Sequence, residues 1–233
     1  TADGCRCEPL TISDPCSRYL LCCQALGGTT YAEAQPVFVE VFQEYGLPQA
    51  LRTDNGPPFA SHGIGGLTRL AVWWIRLGIV PQRIQPGRPG QNGRHERMHR
   101  TLAEEACRPP RANRRAQQRA FERFRREYNE ERPHEALGDR TPSELYQPAS
   151  RVYPATLPEL VYPAHYEVRQ VKYNGRIKWH GAWYYLNDAL HRQPIGLERG
   201  AEDQWELHFG PVSLGVLDGY REKVLRHRVL VLQ

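Results

Sequence analysis

Residues 50–59 have the sequence ALRTDNGPPF, a short apolar run that ends in an Asp-Asn-Gly turn. The run Ala50–Thr53 predicts a strand, and Asp54–Asn55–Gly56 is typical of the turn that ends one. A carboxylate in this position is held rigidly at a strand end and is still exposed to solvent. The tripeptide alone is equally explained as a plain turn, so its meaning depends on the segments around it.

Strand and helix patterns alternate on both sides of this stretch. The segments EPLTISD at 8–14 and SRYLLCCQAL at 17–26 have the composition of neighbouring strands. Apolar residues at helical spacing, or helix-start signals, predict helices over 31–45, over 67–77, from about residue 94, over 113–131 and from 141. The alternation predicts an α/β layer fold whose functional groups lie at strand ends.

The composition changes near residue 147. Residues 147–163 are rich in Pro and Ala and predict a linker. Beyond it, VRQVKYNGRIKWHGAWYYL at 168–186 places an Asn-Gly turn between alternating strands, and residues 204–218 continue the strand pattern. The sequence thus predicts a core domain over 1–146, a Pro-rich linker over 147–163 and a small all-β, SH3-like barrel over 164–233.

A second acid, Glu96, lies in the first turn of the helix that follows a Gly/Pro-rich loop. Asn92, Glu96, His99 and Arg100 are three or four residues apart, so they share one helix face. This face combines a carboxylate with groups that can contact phosphate. A lone Glu in a first turn is also explained by the helix dipole, so the acid becomes informative only through its context.

Four motifs supply that context and occur in a fixed order. They are RTDNGPPF at 52–59, QPGRPGQNGRHERMHRTL at 85–102, YNEERPHEAL at 128–137 and TPSELY at 141–146. Together they resemble the integrase-type DDE transposases of bacterial insertion sequences, in the retroviral-integrase superfamily. The resemblance covers roughly residues 1–150 and implies a ribonuclease H-like core, a mixed sheet flanked by helices. It also implies DNA cleavage and strand transfer for transposition.

The resemblance implies a site for two Mg²⁺ or Mn²⁺ ions. In the family, three carboxylates hold metals that activate water or a DNA 3′-hydroxyl for attack on a phosphodiester. Asp54 matches the second acid and Glu96 the third, so both are expected to be catalytic metal ligands. Two carboxylates about 4 Å apart repel by roughly 4 kcal/mol at an effective dielectric of about 20, so clustered acids need divalent cations.

Further roles follow from the same resemblance. The residues expected to contact DNA are Asn92, Arg94, His99 and Arg100. The residues expected to support the site are Asn55 and Gly56, which shape the loop at Asp54, and His134, which packs near it. Ala103 stands where relatives often carry Lys, which leaves one fewer phosphate contact on this face. The implied partners are transposon-end and target DNA, and the implied active form is a homo-oligomer.

The family's first acid belongs to a strand that precedes the hairpin turn TADG at residues 1–4. Asp3 falls in that turn, and Asp14 matches a position that is not the usual metal ligand. We therefore expect the first strand of the sheet to be missing, the core to be N-terminally truncated, and the catalytic activity of this copy to be impaired.

Charge and apolar content set broader expectations. The net charge of +5 comes from 31 Lys and Arg against 26 Asp and Glu, a mild bias that is compatible with nucleic acid. No apolar run approaches the roughly 20 residues that cross a bilayer, so we expect no membrane partner. The six cysteines contain no C-x-x-C pair and are expected to be free thiols. A bacterial cytoplasmic, nucleoid-associated protein is the resulting expectation.

Two alternatives remain open. Residues 95–99, HERMH, match the H-E-x-x-H pattern of zinc proteases, although the surrounding Arg residues disfavour a cation and a third ligand is not obvious. A non-enzymatic DNA-binding remnant is the second alternative. It is favoured by the Arg-rich helix at 113–131, which a solvated helix face explains equally. It is also favoured by the basic and aromatic alternation of Arg169, Lys172, Tyr173, Arg176, Lys178 and Trp179. Aromatic residues that fill the core of a small barrel explain this alternation equally.

Overall fold

The computed structural model describes residues 1–61, 63–84, 93–200, 204–218 and 223–226. Packing of the backbone divides the chain into two units. We call Thr1–Pro48 with Pro86–Tyr153 the N-terminal unit, and Gln49–Gln85 with Pro154–Gln233 the C-terminal unit. Each unit has an apolar core of its own.

The strands and helices of the described residues follow one another in this chain order: β1 (Glu8–Ser13), β2 (Leu20–Leu26), α1 (Tyr31–Tyr45), β3 (Ala50–Thr53), α2 (Arg69–Arg76), β4 (Val80–Arg83), α3 (Gly93–Glu105), α4 (Arg114–Arg126), α5 (Pro142–Leu145), β5 (Glu167–Gln170), β6 (Arg176–Trp179), β7 (Ala182–Tyr185), β8 (Pro194–Arg199), β9 (Trp205–Phe209), β10 (Val212–Asp218) and β11 (Lys223–Arg226). This sequence of elements confirms the mixed α/β organisation. Among the residues that the structure describes, no helix has both the length and the apolarity to cross a membrane.

The N-terminal unit is built on the antiparallel hairpin β1–β2. Helix α4 packs on this hairpin through Phe121 and Phe124, which are almost fully buried. Polar side chains of the same region bind the backbone of β2. Gln118 accepts the N–H of Ala25 at 2.7 Å, and the buried amide of Asn129 both accepts from and donates to the backbone of Leu20, at 2.8 and 3.0 Å. These bonds satisfy backbone groups that burial would otherwise leave unpaired.

Helix α4 is shorter than the predicted helix over 113–131. It begins after the N-cap Asn113 and ends at Arg126, and a wider π-helical turn continues it from Glu127 to Glu131. That turn buries the adjacent residues Tyr128 and Asn129 together. The regular spacing of an α-helix does not predict this, because neighbouring residues point about 100° apart.

The C-terminal unit combines two kinds of β structure. The strands β3 and β4 form a parallel pair, and helix α2 connects them. The later strands form a five-stranded antiparallel sheet in the order β11-β10-β9-β8-β5, together with the hairpin β6–β7. Residues Leu70–Ile75 of α2 are all buried, which is typical of a helix covered on several sides. Part of α2 shares one apolar core with the antiparallel strands.

This grouping differs from the predicted domains, because residues 49–85 pack with residues 154–233. Residues 147–163, the predicted linker, form no helix or strand. Within them, the Tyr162 hydroxyl donates to the carbonyl oxygen of Pro194 at 2.9 Å, which holds this segment against β8. The predicted division into 1–146, 147–163 and 164–233, the ribonuclease H-like sheet without its first strand, and the closed SH3-like barrel stay predictions.

The predicted Asn-Gly turn is present, with Gly175 at a φ of 70°. However, the strands on its two sides do not pair with each other: β5 pairs with β8, and β6 pairs with β7. The hairpin β6–β7 closes at His180–Gly181, where both residues have positive φ. Two positive φ angles are what a tight two-residue hairpin turn requires, so this second turn connects the paired strands.

Candidate active-site residues and a basic-aromatic surface

Asp54 lies directly after β3, at the carboxyl end of the parallel pair β3–β4. Its side chain is exposed, and one carboxylate oxygen accepts the backbone N–H of Gly56 at 3.0 Å. A bond to the backbone two residues further on is an Asx turn, which orients the side chain. The carboxylate is therefore oriented and open to solvent, as a cation ligand needs to be.

Asn55 joins the ends of the two parallel strands. Its side-chain amide donates to the carbonyl oxygen of Ile84, directly after β4, at 3.1 Å. The carbonyl oxygen of Gly56 accepts the N–H groups of Phe59 and Ala60, which closes the following loop on itself. These contacts hold the backbone at Asp54. The supporting roles of Asn55 and Gly56 nevertheless stay predictions, because the contacts show position and not function.

Glu96 is exposed in the first turn of α3. It belongs to the N-terminal unit, whereas Asp54 belongs to the C-terminal unit. An acid in a first turn is favoured by the helix dipole irrespective of any metal. The joint role of the two carboxylates as metal ligands stays a prediction.

The four residues expected to contact DNA differ in their surroundings. Asn92 lies outside the described residues. Arg100 is exposed one turn after Glu96, and the exposed Arg94 donates to the carbonyl oxygen of Pro15 at 2.9 Å. His99 is half-buried and points towards β1. Among the described residues of the predicted face, Glu96 and Arg100 are exposed.

Thr11 is a neighbour of this face that the sequence analysis did not identify. Its hydroxyl oxygen shares hydrogen bonds with Nε2 of His95 at 3.1 Å and with Nε2 of His99 at 2.7 Å. The two Nε2 atoms are 3.0 Å apart. Ser13 Oγ also reaches Nδ1 of His95, at 3.4 Å. Side chains alternate along a strand, so the sequence of β1 does place Thr11 and Ser13 on one face.

These contacts bear on the H-E-x-x-H alternative. The Nε2 atoms that would bind zinc are engaged with the hydroxyl of Thr11. Within the described parts of the chain, no third His, Cys, Asp or Glu has a ligand atom within 4.8 Å of both histidines. The geometry favours a structural role for His95 and His99, which fastens α3 to β1.

His134 follows the π-helical turn and packs edge-on against Tyr128, with 4.9 Å between ring centroids. Burial lowers its pKa from the ordinary value of 6.5, and the nearby guanidinium groups of Arg18 and Arg132 lower the pKa further. Its Nε2 is buried and has no hydrogen-bond partner among the described residues. The imidazole is thus a neutral packing group, which is compatible with the expected supporting role.

The hairpin β6–β7 presents a basic-aromatic surface, which we define as Arg176, Lys178, Trp183 and Tyr185. Arg176 lies opposite Tyr185, and Lys178 lies opposite Trp183. All four side chains are exposed, while the alternate residues Ile177 and Tyr184 are buried.

The two aromatic residues of the predicted basic and aromatic alternation, Trp179 and Tyr173, differ in burial. Trp179 belongs to the core, with the Arg169 guanidinium 4.8 Å from its ring centroid, whereas Tyr173 is 82% exposed. Trp183 and Tyr185 were missed, although the period-two pattern of β7 predicts their exposure.

Comparison with known proteins relates the chain to mobile elements. Residues 77–142 match the sequence model of the family described as "Integrase core domain". These residues include Glu96 and His134 but not Asp54. A 31.7 kDa uncharacterized protein of insertion element IS407 from Burkholderia multivorans is 35% identical over 119 residues, which cover 50% of this chain and 41% of that protein.

Two further matches are similar in kind. A 39.2 kDa uncharacterized protein of insertion element IS476 from Xanthomonas euvesicatoria is 34% identical over 101 residues, covering 43% of this chain and 28% of that protein. The crystal structure of the catalytic core domain of BIV integrase matches with a TM-score of 0.45 and 21% identity, over 60% of this chain and 90% of that one. The chain spans less than half the length of these insertion-element relatives. Residues 77–142 therefore resemble an integrase core domain, and the chain is similar to proteins encoded by bacterial insertion elements.

Proposed function

We propose that this chain is the core of a DDE-type transposase that cleaves and transfers DNA strands in a metal-dependent reaction. The observation that carries the proposal is the match of residues 77–142 to the integrase core domain, together with relatives encoded by insertion elements. The proposed fold of the core is ribonuclease H-like, followed by an SH3-like barrel. The proposed partners are transposon-end DNA, target DNA and further copies of the chain, in the bacterial cytoplasm at the nucleoid.

Asp54 and Glu96 are the proposed metal ligands. Their donor chemistry fits, because Mg²⁺ and Mn²⁺ prefer carboxylate oxygens, and both carboxylates are exposed. A divalent ion bound there would stabilise the attacking and leaving oxygens of a phosphodiester. In this proposal, Gly56 and Asn55 hold the loop that orients Asp54. The guanidinium group of Arg100, one turn after Glu96, would contact a DNA phosphate. Arg94, His99 and Asn92 are the other proposed DNA contacts, and His134 a supporting residue.

The sequence supplies two of the three acids that the resemblance requires. The predicted impairment of catalysis stays part of the proposal, because Asp54 and Glu96 match two of the family's three acids. Metal binding is accordingly measured beside DNA cleavage.

The test is Mn²⁺ affinity and Mn²⁺-dependent nicking of supercoiled plasmid DNA for the full chain. We expect Asp54→Asn and Glu96→Gln each to weaken Mn²⁺ binding and to abolish any nicking. Glu104→Gln is the matched control, because Glu104 is exposed on the same helix as Glu96. Equal Mn²⁺ affinity in all four proteins would refute the assignment of the ligands.

DNA binding without catalysis is the second candidate, and the basic-aromatic surface favours it. Arg and Lys can neutralise phosphates, while exposed Trp and Tyr rings can stack on bases. We expect Arg176→Ala with Lys178→Ala to reduce the salt dependence of single-stranded DNA affinity. Trp183→Ala is expected to weaken affinity by about 1–3 kcal/mol. Arg115→Ala with Arg119→Ala, on the exposed side of α4, is the charge-matched control. A larger loss in that control would locate the DNA contact on the Arg-rich helix instead.

A further inference from the structure

Strands β8 and β9 carry a cluster of ionisable side chains on the face that points away from the core. Leu197 and Leu207 lie opposite each other and are fully buried. Because side chains alternate between the faces of a strand, their neighbours lie on the other face. There, Glu198 lies directly opposite Glu206, and His208 is two residues further along β9. We call Glu198, Glu206, His208 and the nearby His165 the β8–β9 cluster.

The ligand atoms of Glu198, Glu206 and His208 all lie within 4.8 Å of one another, close enough to share one metal ion. His208 Nε2 is 3.5 Å from Glu198 Oε2 and 3.8 Å from Glu206 Oε2. His165 Nε2 is 3.4 Å from the other oxygen of Glu198. Zinc binds imidazole nitrogen and carboxylate oxygen at about 2.0–2.2 Å, so tetrahedral ligands stand about 3.3–3.6 Å apart. At 3.5 and 3.8 Å, the two contacts of His208 are too long for good hydrogen bonds, whereas His165 is hydrogen-bonded to Glu198.

The cluster combines two acidic side chains with a buried imidazole nitrogen. Two carboxylates directly opposite each other on neighbouring strands repel, which destabilises the pair. His208 Nε2 is buried and has no hydrogen-bond partner among the described residues. Only 15% of the His208 side chain is exposed, against about 40% for each Glu, so the cluster opens on its carboxylate side. A divalent ion would neutralise the carboxylates and give the buried nitrogen a partner.

Two hydroxyl groups orient the carboxylates. Tyr166 donates to Glu198 Oε2 at 2.7 Å, and Ser213 donates to Glu206 Oε1 at 2.6 Å. Because Ser213 binds Oε1 of Glu206, the second oxygen of Glu206 remains on the side of His208. Outer hydrogen bonds of this kind position ligands in metal sites.

We propose that the β8–β9 cluster is a zinc site, with Glu198, Glu206 and His208 as its three protein ligands and water in the remaining position. A set of imidazole nitrogens and carboxylate oxygens suits zinc, whereas Mg²⁺ and Ca²⁺ prefer oxygen ligands throughout. The ion would tie β8 to β9 through these three side chains. The site lies within the C-terminal unit and does not depend on the proposed transposase reaction.

The experiment measures the zinc affinity of the full chain after removal of metal with a chelator, together with the visible spectrum of the Co²⁺ form. We expect one zinc per chain and the intense absorption of four-coordinate Co²⁺. His208→Ala should weaken zinc binding by about tenfold or more, and Tyr166→Phe by about tenfold, because an orienting hydrogen bond is lost. His191→Ala is the matched control, since His191 is an exposed histidine of the same unit.

Two more variants separate this site from the others. His95→Ala should keep full zinc affinity, and so should a chain with Asp54→Asn and Glu96→Gln. Zinc affinity lost in His95→Ala and kept in His208→Ala would overturn the proposal in favour of the H-E-x-x-H pair. The absence of zinc binding by the unmodified chain, or equal affinity in the unmodified chain and Tyr166→Phe, would also overturn it. Tyr166→Phe removes one hydroxyl group only, so it serves as the test even if His208→Ala fails to fold.

Discussion

His208 in the C-terminal unit and His134 in the N-terminal unit share one unusual feature and differ in their neighbours. In both residues Nε2 is buried without a hydrogen-bond partner among the described residues. The carboxylates of Glu198 and Glu206 face His208, whereas the guanidinium groups of Arg18 and Arg132 act on His134. An unpartnered imidazole nitrogen therefore does not define a metal site by itself. The sign of the charge around it decides whether a cation is attracted or repelled.

The pair His95 and His99 adds a third arrangement. These histidines stand at the helical spacing of a zinc motif, but their Nε2 atoms already interact with each other and with Thr11. The residues with the better zinc geometry belong to no linear motif. Spacing along the chain thus identified the pair whose nitrogens are already engaged and missed the proposed site.

Among the variants that test this comparison, removal of the Tyr128 ring should change the free energy of unfolding most. Tyr128 is buried and contacts both His134 and Phe124, so Tyr128→Ala is expected to lower the free energy of unfolding by about 3–5 kcal/mol. The measurement is urea denaturation followed by circular dichroism. Tyr128→Phe keeps the ring and should cost less than about 1.5 kcal/mol. A loss of free energy of unfolding well below this range in Tyr128→Ala would mean that packing against Tyr128 does not hold His134.

Neutralising one of the opposed carboxylates should have a smaller effect, with a sign that depends on zinc. In chelator, Glu206→Gln should raise the free energy of unfolding by up to about 1 kcal/mol, because the repulsion from Glu198 is relieved. With excess zinc, the same variant should be less stable than the unmodified chain, because zinc stabilises only the folded form that binds it. Glu167→Gln is the control, since Glu167 pairs with Arg169 at 2.8 Å and should show no dependence on zinc. The same sign in both conditions would contradict the zinc site.

The smallest expected effect is a change in the pH dependence of stability at His134. Its folded pKa is lowered by burial and by the two guanidinium groups, so the unfolded chain binds the proton more readily. The contribution of neutral His134 to the free energy of unfolding is fully present above the ordinary pKa of 6.5. It is lost as pH falls towards the lowered pKa of the folded protein. His134→Gln should therefore flatten the decline of the urea midpoint between about pH 7.5 and about pH 5.5. His191→Gln is the control, because His191 is exposed. An unchanged decline in His134→Gln would show that His134 is not the group responsible.

Local features of the fold could be predicted because their causes are local. Helix α1 spans the predicted residues, since Thr30 caps its start and Gly46 ends it with a φ of 81°. Helix α5 begins with the predicted capping box of Thr141 and Glu144. The pairing of β6 with β7 could not be predicted in the same way. Two glycine turns lie within seven residues of each other, and only packing against the other strands selects between them.

For the candidate site, the sequence supplied residues and the structure supplied their contacts. Ordered motifs identified Asp54 and its turn, and the structure adds the bond from Asn55 to Ile84 that supports the loop. The partnership of Thr11 with His95 and His99 joins residues 84 and 88 positions apart, which no local pattern reveals. The exposed Trp183 and Tyr185 were accessible to strand alternation once the strand itself was assigned.

By itself, the sequence determined most elements, the turns and the resemblance to integrase-type transposases, because caps, glycines and ordered motifs act within a few residues of the chain. Only the tertiary structure decided which strands pair, which aromatic rings are buried, and that Glu198, Glu206 and His208 come together. Cross-strand register and packing join residues that are distant in sequence. The free energy of these contacts depends on all partners at once, and no single segment encodes it.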